Sequence, residues 1–377
     1  MSKKSKTYTP SILFDALPET EEVVKKETAI VYCEGQFGKV GGKIANGLIR
    51  HSERYEIISV IDDERAGEDS GKVLNGEPNG IPIFRDLGTA LAQAGRRPAC
   101  LIFGTAPTGE DGKLSTPERR MMLRAIGYGI NVVSGVDEFL NDDPEFAAAV
   151  EAKANVEIRD VRRPRDEKDM TEFSGRISEV TCPRVAVLGT DSATGKRTTA
   201  TIIIKALSER GIKAVLIGTG PTSFMQGVSY GVALDAVPTK FRSGELENKI
   251  IEVVEKEDPD VILIEGQASL SDPECSVSSA ILEGACPQGV ILQHAPARKN
   301  RVNFDDVAMP DPESEIDLIE ATEGTKVVGL TLSHEDMTDV EISSAIKRYE
   351  KELMIPVTDA LSKSSQKLIE MVRSVLP

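Results

Sequence analysis

The stretch VLGTDSATGKRTT combines glycines, a lysine and an arginine in the manner of a phosphate-binding loop. The common pattern is G-x-x-x-x-G-K-[ST], whose backbone N–H groups and lysine hold phosphates while the hydroxyl binds Mg²⁺. Here five residues separate Gly189 from Gly195, and Arg197 follows Lys196 where the hydroxyl residue normally stands. Thr198 comes one position late, and one position turns a helical side chain by about 100°. We therefore predict an anion site and expect Thr198 to miss the metal position.

The surrounding sequence has the strand–loop–helix order that such a loop requires. RVAVLG is a β-branched apolar run, and TTATIIIKALSERG is an amphipathic helical pattern that stops at Gly211. Loop amides, the helix N-terminus and Lys196 attract an anion, with Arg197 as a second cation at the mouth of the loop. The alternative is a purely structural turn. The residues predicted to contact the phosphate-bearing ligand are Gly189, Thr190, Asp191, Gly195, Lys196, Arg197 and Thr198.

Two further polar residues stand at the ends of predicted strands. Glu265 closes DVILIE in the manner of a Walker B acid, and His294 follows GVILQ. Ligands of open α/β sheets bind at the carboxyl ends of the strands. Glu265 is therefore predicted to be a metal ligand or a general base, the alternative being an acid that caps a turn or pairs with Lys196. His294 is either a functional group of the same edge or an ordinary satisfied polar residue.

Other residues have the chemistry to contact a substrate. Thr222 and Gln226 lie in GTGPTSFMQG, a glycine-rich segment interpreted as a ligand-wrapping loop or an ordinary connection. Asp235 is a candidate partner for a substrate ammonium. Arg298 either clamps a carboxylate or phosphate bidentately or pairs with a surface acid. Cations of the first half that are candidates to bind an acidic substrate between the domains, or are simply solvated or paired, are Lys43, Arg119, Arg159, Arg162 and Arg163.

Short apolar runs alternate with helical patterns along the chain, which predicts parallel sheets built from βαβ units. The fold class is α/β: an N-terminal Rossmann-like doubly wound sheet in residues 23–161, a charged linker in 162–182 and a C-terminal P-loop NTPase-like parallel sheet in 183–360. Predicted strands are 29–33, 55–62, 99–103, 131–134, 156–161, 184–188, 213–217, 261–265, 289–293, 327–332 and 355–357. Predicted helices are 40–50, 116–128, 136–152, 195–209, 244–256, 313–322, 338–353 and one within the tail 361–377.

The turn after the first predicted strand, CEGQFGKVGGK, is rich in glycine but differs from G-x-G-x-x-G. Gly35, Gly38 and Gly41 are spaced by three residues, although Asp62 and Asp63 end the second strand where a ribose-binding acid would stand. A dinucleotide site is one interpretation. We expect instead a Rossmann-like scaffold without a nicotinamide.

Composition limits the partners of the chain. A net charge of −16 over 377 residues opposes binding to nucleic acid or anionic membranes, and no run reaches the length of a membrane span. The five cysteines are scattered without a pairing pattern, as in reduced cytosolic proteins, and the three histidines lie too far apart in sequence to indicate zinc. We expect a cytoplasmic homo-oligomer with small-molecule substrates and no bound metal.

Ordered segments through both halves resemble one family. LGTDSATGKRTT has the longer loop of dethiobiotin synthetase and its relatives, with Arg197 in place of their Thr. Together with other segments it resembles the D-glutamate N-acetyltransferase-like proteins, which pair a Rossmann-like domain with a P-loop domain. The other matching segments are VIDDERAGEDSG, GTAPTGEDGKL, GINVVSGVDEFLNDDPE, RDVRRP, GTGPTSFMQGVSYGVALDAV, ILIEGQASLSDP and LQHAPARKNR.

The resemblance implies transfer of an acetyl group from acetyl-CoA to the amino group of D-glutamate. CoA carries phosphate groups, which the loop can bind without hydrolysing them. The amine must lose a proton before it attacks, so Glu265 or His294 is the expected base. Gln267 and Ser269 are the expected side-chain donors to the oxyanion, and Ser269 is grouped with the substrate contacts. Lys240 stands where the family often has Asp, which leaves the acceptor open to a more anionic molecule.

Two other functions remain open at this stage. One is an ATP/Mg²⁺-dependent ligase or kinase resembling dethiobiotin synthetase, with Lys196 on the phosphates and Glu265 on the metal. Arg197 speaks against it. The other is a non-catalytic nucleotide sensor whose first half binds a second ligand. The co-occurrence of Glu265, Gln267 and His294 speaks against that function.

Overall fold

The computed structural model describes residues 26–302, 304–322 and 324–376. The first residues of the predicted N-terminal domain, 23–25, and the last residue of the predicted tail lie outside these ranges. No helix in the described part of the chain is both long enough and apolar enough to cross a bilayer.

The first half forms a six-stranded parallel sheet. Its strand order, β3-β2-β1-β4-β5-β6, is that of a Rossmann sheet. Apolar residues of α1 pack on one face, and those of α3, α4 and α5 pack on the other. The strands are β1 Glu27–Tyr32, β2 Tyr55–Ile61, β3 Ile83–Phe84, β4 Cys100–Phe103, β5 Asn131–Ser134 and β6 Ile158–Asp160. The helices are α1 Lys43–Arg50, α2 Ser70–Asn75, α3 Leu87–Gln93, α4 Thr116–Gly127 and α5 Pro144–Glu151.

The second half forms a seven-stranded parallel sheet in the order β15-β14-β11-β7-β10-β8-β9. Helices α8 to α11 cover one face, while α6 and α12 cover the other. The strands are β7 Arg184–Gly189, β8 Ala214–Gly218, β9 Tyr230–Gly231, β10 Val261–Glu265, β11 Gly289–His294, the hairpin β12 Asn300–Arg301 and β13 Phe304–Ala308, β14 Lys326–Leu332 and β15 Val357–Thr358. The helices are α6 Lys196–Ser208, α7 Pro221–Gln226, α8 Thr239–Glu257, α9 Val277–Ala285, α10 Pro312–Glu320, α11 Asp339–Leu353 and α12 Gln366–Arg373.

Both halves therefore have the predicted α/β architecture, and two helices begin five or more residues away from their predicted starts. The helix predicted over 136–152 is only α5, because Pro144 disfavours helical backbone at Asp143, whose carboxylate caps the helix instead. Helix α8 begins five residues before the predicted 244. Gly244 lies inside this helix. A glycine is needed there because a Cβ would come within 2.3 Å of the backbone of Thr171 and Glu172.

Helix α7 joins the two halves. The prediction treated this segment as a loop, but Gly220 and Gly227 frame a six-residue helix that follows β8. Met225 is fully buried among side chains of the first sheet, including Val31 and Val133. The carboxyl edge of the second sheet is thereby held against the first half.

The predicted linker packs against helix α8. Short 3₁₀ turns occupy 167–169 and 176–179. Glu245 accepts hydrogen bonds from Arg165 and from the Thr171 amide, and Glu247 accepts them from Ser174 and the Ile177 amide. The segment is therefore fixed to the second half, while the domain boundaries at 161/162 and 182/183 stay predictions.

Candidate functional site

The predicted phosphate loop connects β7 to α6 and is closed over its own lysine. Gly195 has φ +107°, a left-handed conformation that favours glycine. The Lys196 ammonium donates to the backbone oxygens of Asp191, at 2.6 Å, and Ala268, at 3.1 Å. Burial lowers the pKa of Lys196 to about 8, against the opposing attraction of Asp191. The loop thus places an ammonium beside a helix N-terminus, the arrangement that binds phosphate.

Glu265 ends β10 beside Val187 of β7, which brings it to the same edge as the loop. Its side chain is buried, and its Oε2 has no hydrogen-bond partner among the described residues. Burial raises the pKa of Glu265 to about 7, against the opposing charges of Arg197, Lys196 and Lys43. A carboxyl group with that pKa exchanges protons near neutral pH, as a general base must.

Arg197 turns sideways from the loop towards α7. Its Nε donates to Gln226 Oε1 at 2.9 Å, and its buried Nη1 has no partner among the described residues. A guanidinium only donates hydrogen bonds, so it cannot ligate Mg²⁺ in the hydroxyl position of the common loop. Thr198 is half-buried and forms no described side-chain hydrogen bond. These residues do not fit a magnesium site of the usual P-loop kind.

Arg298 braces the loop instead of facing open space. Its guanidinium donates to Asp191 Oδ2 and the Ser192 carbonyl, both at 2.7 Å, and to Glu335 Oε2 at 2.6 Å. Asp191 also accepts from the Val302 amide at 2.9 Å. Of the two interpretations of Arg298, the structure favours pairing with acids. Arg298 and Asp191 together hold the shape of the phosphate loop.

His294 lies at the end of β11, enclosed by two hydroxyl groups. Its Nδ1 lies 2.9 Å from Thr190 Oγ1, and its Nε2 lies 3.2 Å from the Tyr349 hydroxyl. Burial lowers the pKa of His294 to about 4. Because both ring nitrogens are engaged and the ring is buried, the geometry favours Glu265 over His294 as the base. His294 is placed to orient Thr190 in the loop.

The two predicted oxyanion donors lie on the segment after β10. Gln267 donates to the Thr219 carbonyl and lies against Gly220. Ser269 is fully buried and accepts from Arg301 at 2.8 Å. Arg301, which the sequence reasoning did not single out, is also buried and reaches Ser271 Oγ at 2.6 Å. Its signal was its position in LQHAPARKNR, three residues after Arg298.

The other predicted substrate contacts lie towards the first half. Gln226 binds Arg197 and closely approaches Gly47 of α1, and Thr222 lies on the same side of α7. Asp235 follows β9 and pairs with Arg162 of the predicted linker. Oδ1 of Asp235 is buried without a partner among the described residues. The edge of the second sheet and the first half therefore meet at these side chains.

The switch point of the first sheet is occupied by the chain itself. Asp62 accepts from the amides of Phe37 and Glu64, each at 3.0 Å. Phe37 is fully buried beneath this turn. The acid at the position of a ribose-binding residue thus accepts hydrogen bonds from backbone amides of its own half.

Comparisons with known proteins agree with this architecture. Residues 171–369 match a model described as the P-loop domain of a domain of unknown function, DUF1611, and residues 63–164 match its Rossmann-like N-terminal domain. The chain belongs to the DUF1611 family. The two matched ranges include the whole second sheet with the phosphate loop between β7 and α6, and strands β3 to β6 of the first sheet.

Two relatives show how far this likeness extends. A crystal structure of a DUF1611 family protein from Anabaena variabilis is 26% identical, with a TM-score of 0.84 over 93% of this chain and 100% of that one. A protein named D-glutamate N-acetyltransferase, from Tritonibacter scottomollicae, is 28% identical over 281 residues, which are 73% of this chain and 81% of that protein.

Proposed function

We propose that this DUF1611 protein is an N-acetyltransferase that moves an acetyl group from acetyl-CoA to the amino group of D-glutamate or a similar acidic amino acid. The name of the relative from Tritonibacter scottomollicae supports the reaction class. The observation that carries the proposal is Glu265, a buried carboxyl with one unpartnered oxygen and a pKa near 7, beside the phosphate loop.

Glu265 has the properties of the base that this reaction needs. An amino acid is an ammonium ion at neutral pH, so a proton must leave before nitrogen attacks the thioester carbonyl. The nitrogen–carbon bond then forms, the carbon–sulfur bond breaks, and the CoA sulfur leaves as a thiolate, which takes up the second proton that the nitrogen loses as it becomes an amide. Ionised Glu265 accepts the proton from the amine, and the cations around it favour this ionised form against the effect of burial.

Lys196 and α6 anchor the phosphates of CoA in this proposal. The pyrophosphate or the 3′-phosphate binds the loop amides, and the Lys196 ammonium exchanges its carbonyl partners for phosphate oxygens. Arg197 completes the anchor without a metal because its free Nη1 lies on the same helix turn. Anchoring requires no bond cleavage at phosphorus.

A ligase or kinase that uses ATP and Mg²⁺ is the competing function. Lys196 and Glu265 occupy positions compatible with it. Arg197 in the metal position makes it the weaker candidate, and the comparison of the two nucleotides separates them directly.

The test is calorimetric binding of acetyl-CoA and of ATP with Mg²⁺, followed by CoA release with D- and L-glutamate. We expect the protein to bind acetyl-CoA. Lys196→Ala should lower the affinity for acetyl-CoA roughly 10- to 100-fold, because a charge-assisted hydrogen bond is lost. Lys205→Ala, on the exposed side of α6, is the matched control and should bind normally. Tight ATP binding with phosphate release and no affinity for acetyl-CoA contradicts the proposal.

A further inference from the structure

The five cations predicted to bind an acidic substrate divide into two groups. Three are consumed by ion pairs of the first half, away from the phosphate loop. Arg119 binds Asp143 and Glu145, Arg159 binds Glu27, and Arg163 binds Asp142, each at 2.8 Å. Arg162 also forms ion pairs, with Asp137 of the first half and with Asp235 of the second. Lys43 is the one cation of the five that has no ion pair among the described residues.

Lys43 is the first residue of α1, and its side chain is exposed. Its ammonium forms none of the hydrogen bonds or ion pairs of residues 26–302, 304–322 and 324–376. Desolvation of the ammonium, together with the charge of Arg162, lowers the pKa of Lys43, while Asp235 and Glu265 oppose that shift, and the charge of Lys43 acts on Lys196 in turn. Lys43 is therefore a cation that the first half of the chain places near the phosphate loop.

Arg162 and Asp235 form an ion pair close enough to Lys43 to influence its charge, and Arg162 also pairs with Asp137. Arg162 Nη2 lies 2.5 Å from Asp235 Oδ2. Arg162 Nε and Asp235 Oδ1 are nevertheless buried without partners among the described residues. Buried polar atoms are nearly always hydrogen bonded, so two such atoms on adjoining side chains are typical of a ligand site. The pair offers one donor and one acceptor next to each other.

We propose that Lys43, Arg162 and Asp235 form the subsite for the acceptor, an α-amino dicarboxylate bound between the two halves of the chain. The α-carboxylate and the amino group share one carbon, so they suit the adjoining Arg162 and Asp235. Lys43 is left to bind the side-chain carboxylate and acts as the specificity-determining residue. This subsite rests on the proposed function for its place beside Glu265, which receives the proton of the same amino group.

The placement of α7 supports a subsite shared by both halves. Met225 anchors α7 in the core of the first half, and Glu53 of that half donates its amide to the Gln226 carbonyl at 2.9 Å. Gln226 in turn binds Arg197. The distance between Lys43 and the loop is thus fixed by packing. A bound dicarboxylate therefore meets Lys43 without a domain movement.

The experiment measures kcat/KM for D-glutamate and D-glutamine, together with calorimetric binding of D-glutamate and of acetyl-CoA. We expect Lys43→Met to lower kcat/KM for D-glutamate at least tenfold, through KM, while D-glutamine and acetyl-CoA change less than twofold. Lys43→Arg should recover most of the loss. Lys39→Ala is the matched control, since Lys39 is an exposed lysine that pairs with Glu64.

Each outcome separates the subsite from the reaction. Unchanged D-glutamate kinetics in Lys43→Met, with an active wild type, overturns the subsite and leaves acetyl transfer standing. Weakened acetyl-CoA binding in the same variant assigns Lys43 to a CoA phosphate and also overturns it. Lys43-dependent binding of D-glutamate by a wild type that transfers no acetyl group supports the subsite and contradicts the proposed function.

Discussion

The two halves of this chain place an acid at the same point of two parallel sheets and use it differently. Asp62 follows β2 of the first sheet, and both of its oxygens accept backbone amides. Glu265 ends β10 of the second sheet, and one of its oxygens has no partner among the described residues. Similar strand–turn–helix geometry thus produces a fully hydrogen-bonded acid in one half and, among the described residues, an incompletely hydrogen-bonded acid in the other.

The contrast extends to the turns next to these acids. In the first half Phe37 is buried within the turn, so side chain and backbone occupy the switch point. In the second half Gly195 and Lys196 leave a turn lined by amides and an ammonium. Sharing an architecture therefore does not imply sharing a ligand, because the turn residues decide whether the edge is closed. The first half contributes to the proposed site through Lys43 instead.

The largest loss of activity is expected when the carboxyl group of Glu265 is removed. Glu265→Gln should lower kcat by roughly 10²- to 10⁴-fold, the usual contribution of a general base, with little change in acetyl-CoA binding. Asp62→Asn, the matched change in the other sheet, should leave kcat of the folded protein within about threefold. Steady-state kinetics and calorimetry on both variants check this. Equal losses of activity in the two variants would remove the distinction between the edges.

The pH dependence of kcat/KM in the wild type also distinguishes Glu265 from Asp62. In the proposed reaction the ionised form of Glu265 is the base, so kcat/KM should rise with pH through about 7. Lys196 holds phosphate only while protonated, so kcat/KM should fall above about 8. The acid limb should disappear in Glu265→Gln and persist in Asp62→Asn. A limb that survives in Glu265→Gln would assign it to another group.

Sequence reasoning was most accurate where one feature lies within one segment. The α/β architecture followed from the alternation of apolar runs and helical patterns, and the loop before α6 followed from its own letters. Helix α7 was missed because six residues between two glycines carry no helical period. Helix α9 was missed although VSSAILEGA is largely apolar, since a short apolar run does not distinguish a helix from a connection.

The site was less accessible because its geometry is set between distant segments. The sequence does not distinguish Lys43 from Arg119, and only the fold reveals that Lys43 has no ion pair among the described residues while Arg119 is bound by two acids. The sequence around Arg298 is compatible with a residue that binds a substrate carboxylate, but in the fold Arg298 pairs with Asp191 and Glu335. Ion pairs between residues that lie from 24 to 107 positions apart leave no local pattern in the sequence.

A smaller effect concerns stability, with opposite signs at the two acids. The pKa of Glu265 is raised in the folded protein, so its ionisation between pH 4.5 and about 7 costs stability as the pH rises. Glu265→Gln should therefore raise the free energy of unfolding at pH 8 by roughly 1–3 kcal/mol, and by little at pH 4.5. Asp62→Asn should lower it by about 1–3 kcal/mol, because a buried amide loses its acceptor. Denaturant titrations of both variants measure these changes. Destabilisation by Glu265→Gln at pH 8 would contradict this account of the carboxyl.

Amide hydrogen exchange with and without acetyl-CoA tests the central claim most directly, since it reports on both edges at once and needs no turnover. We predict that acetyl-CoA slows exchange in residues 189–197 by about tenfold or more and leaves residues 33–39 unchanged, and that Lys196→Ala reduces this protection. Protection confined to residues 33–39 and 62–66 would place the ligand on the first sheet and contradict the account.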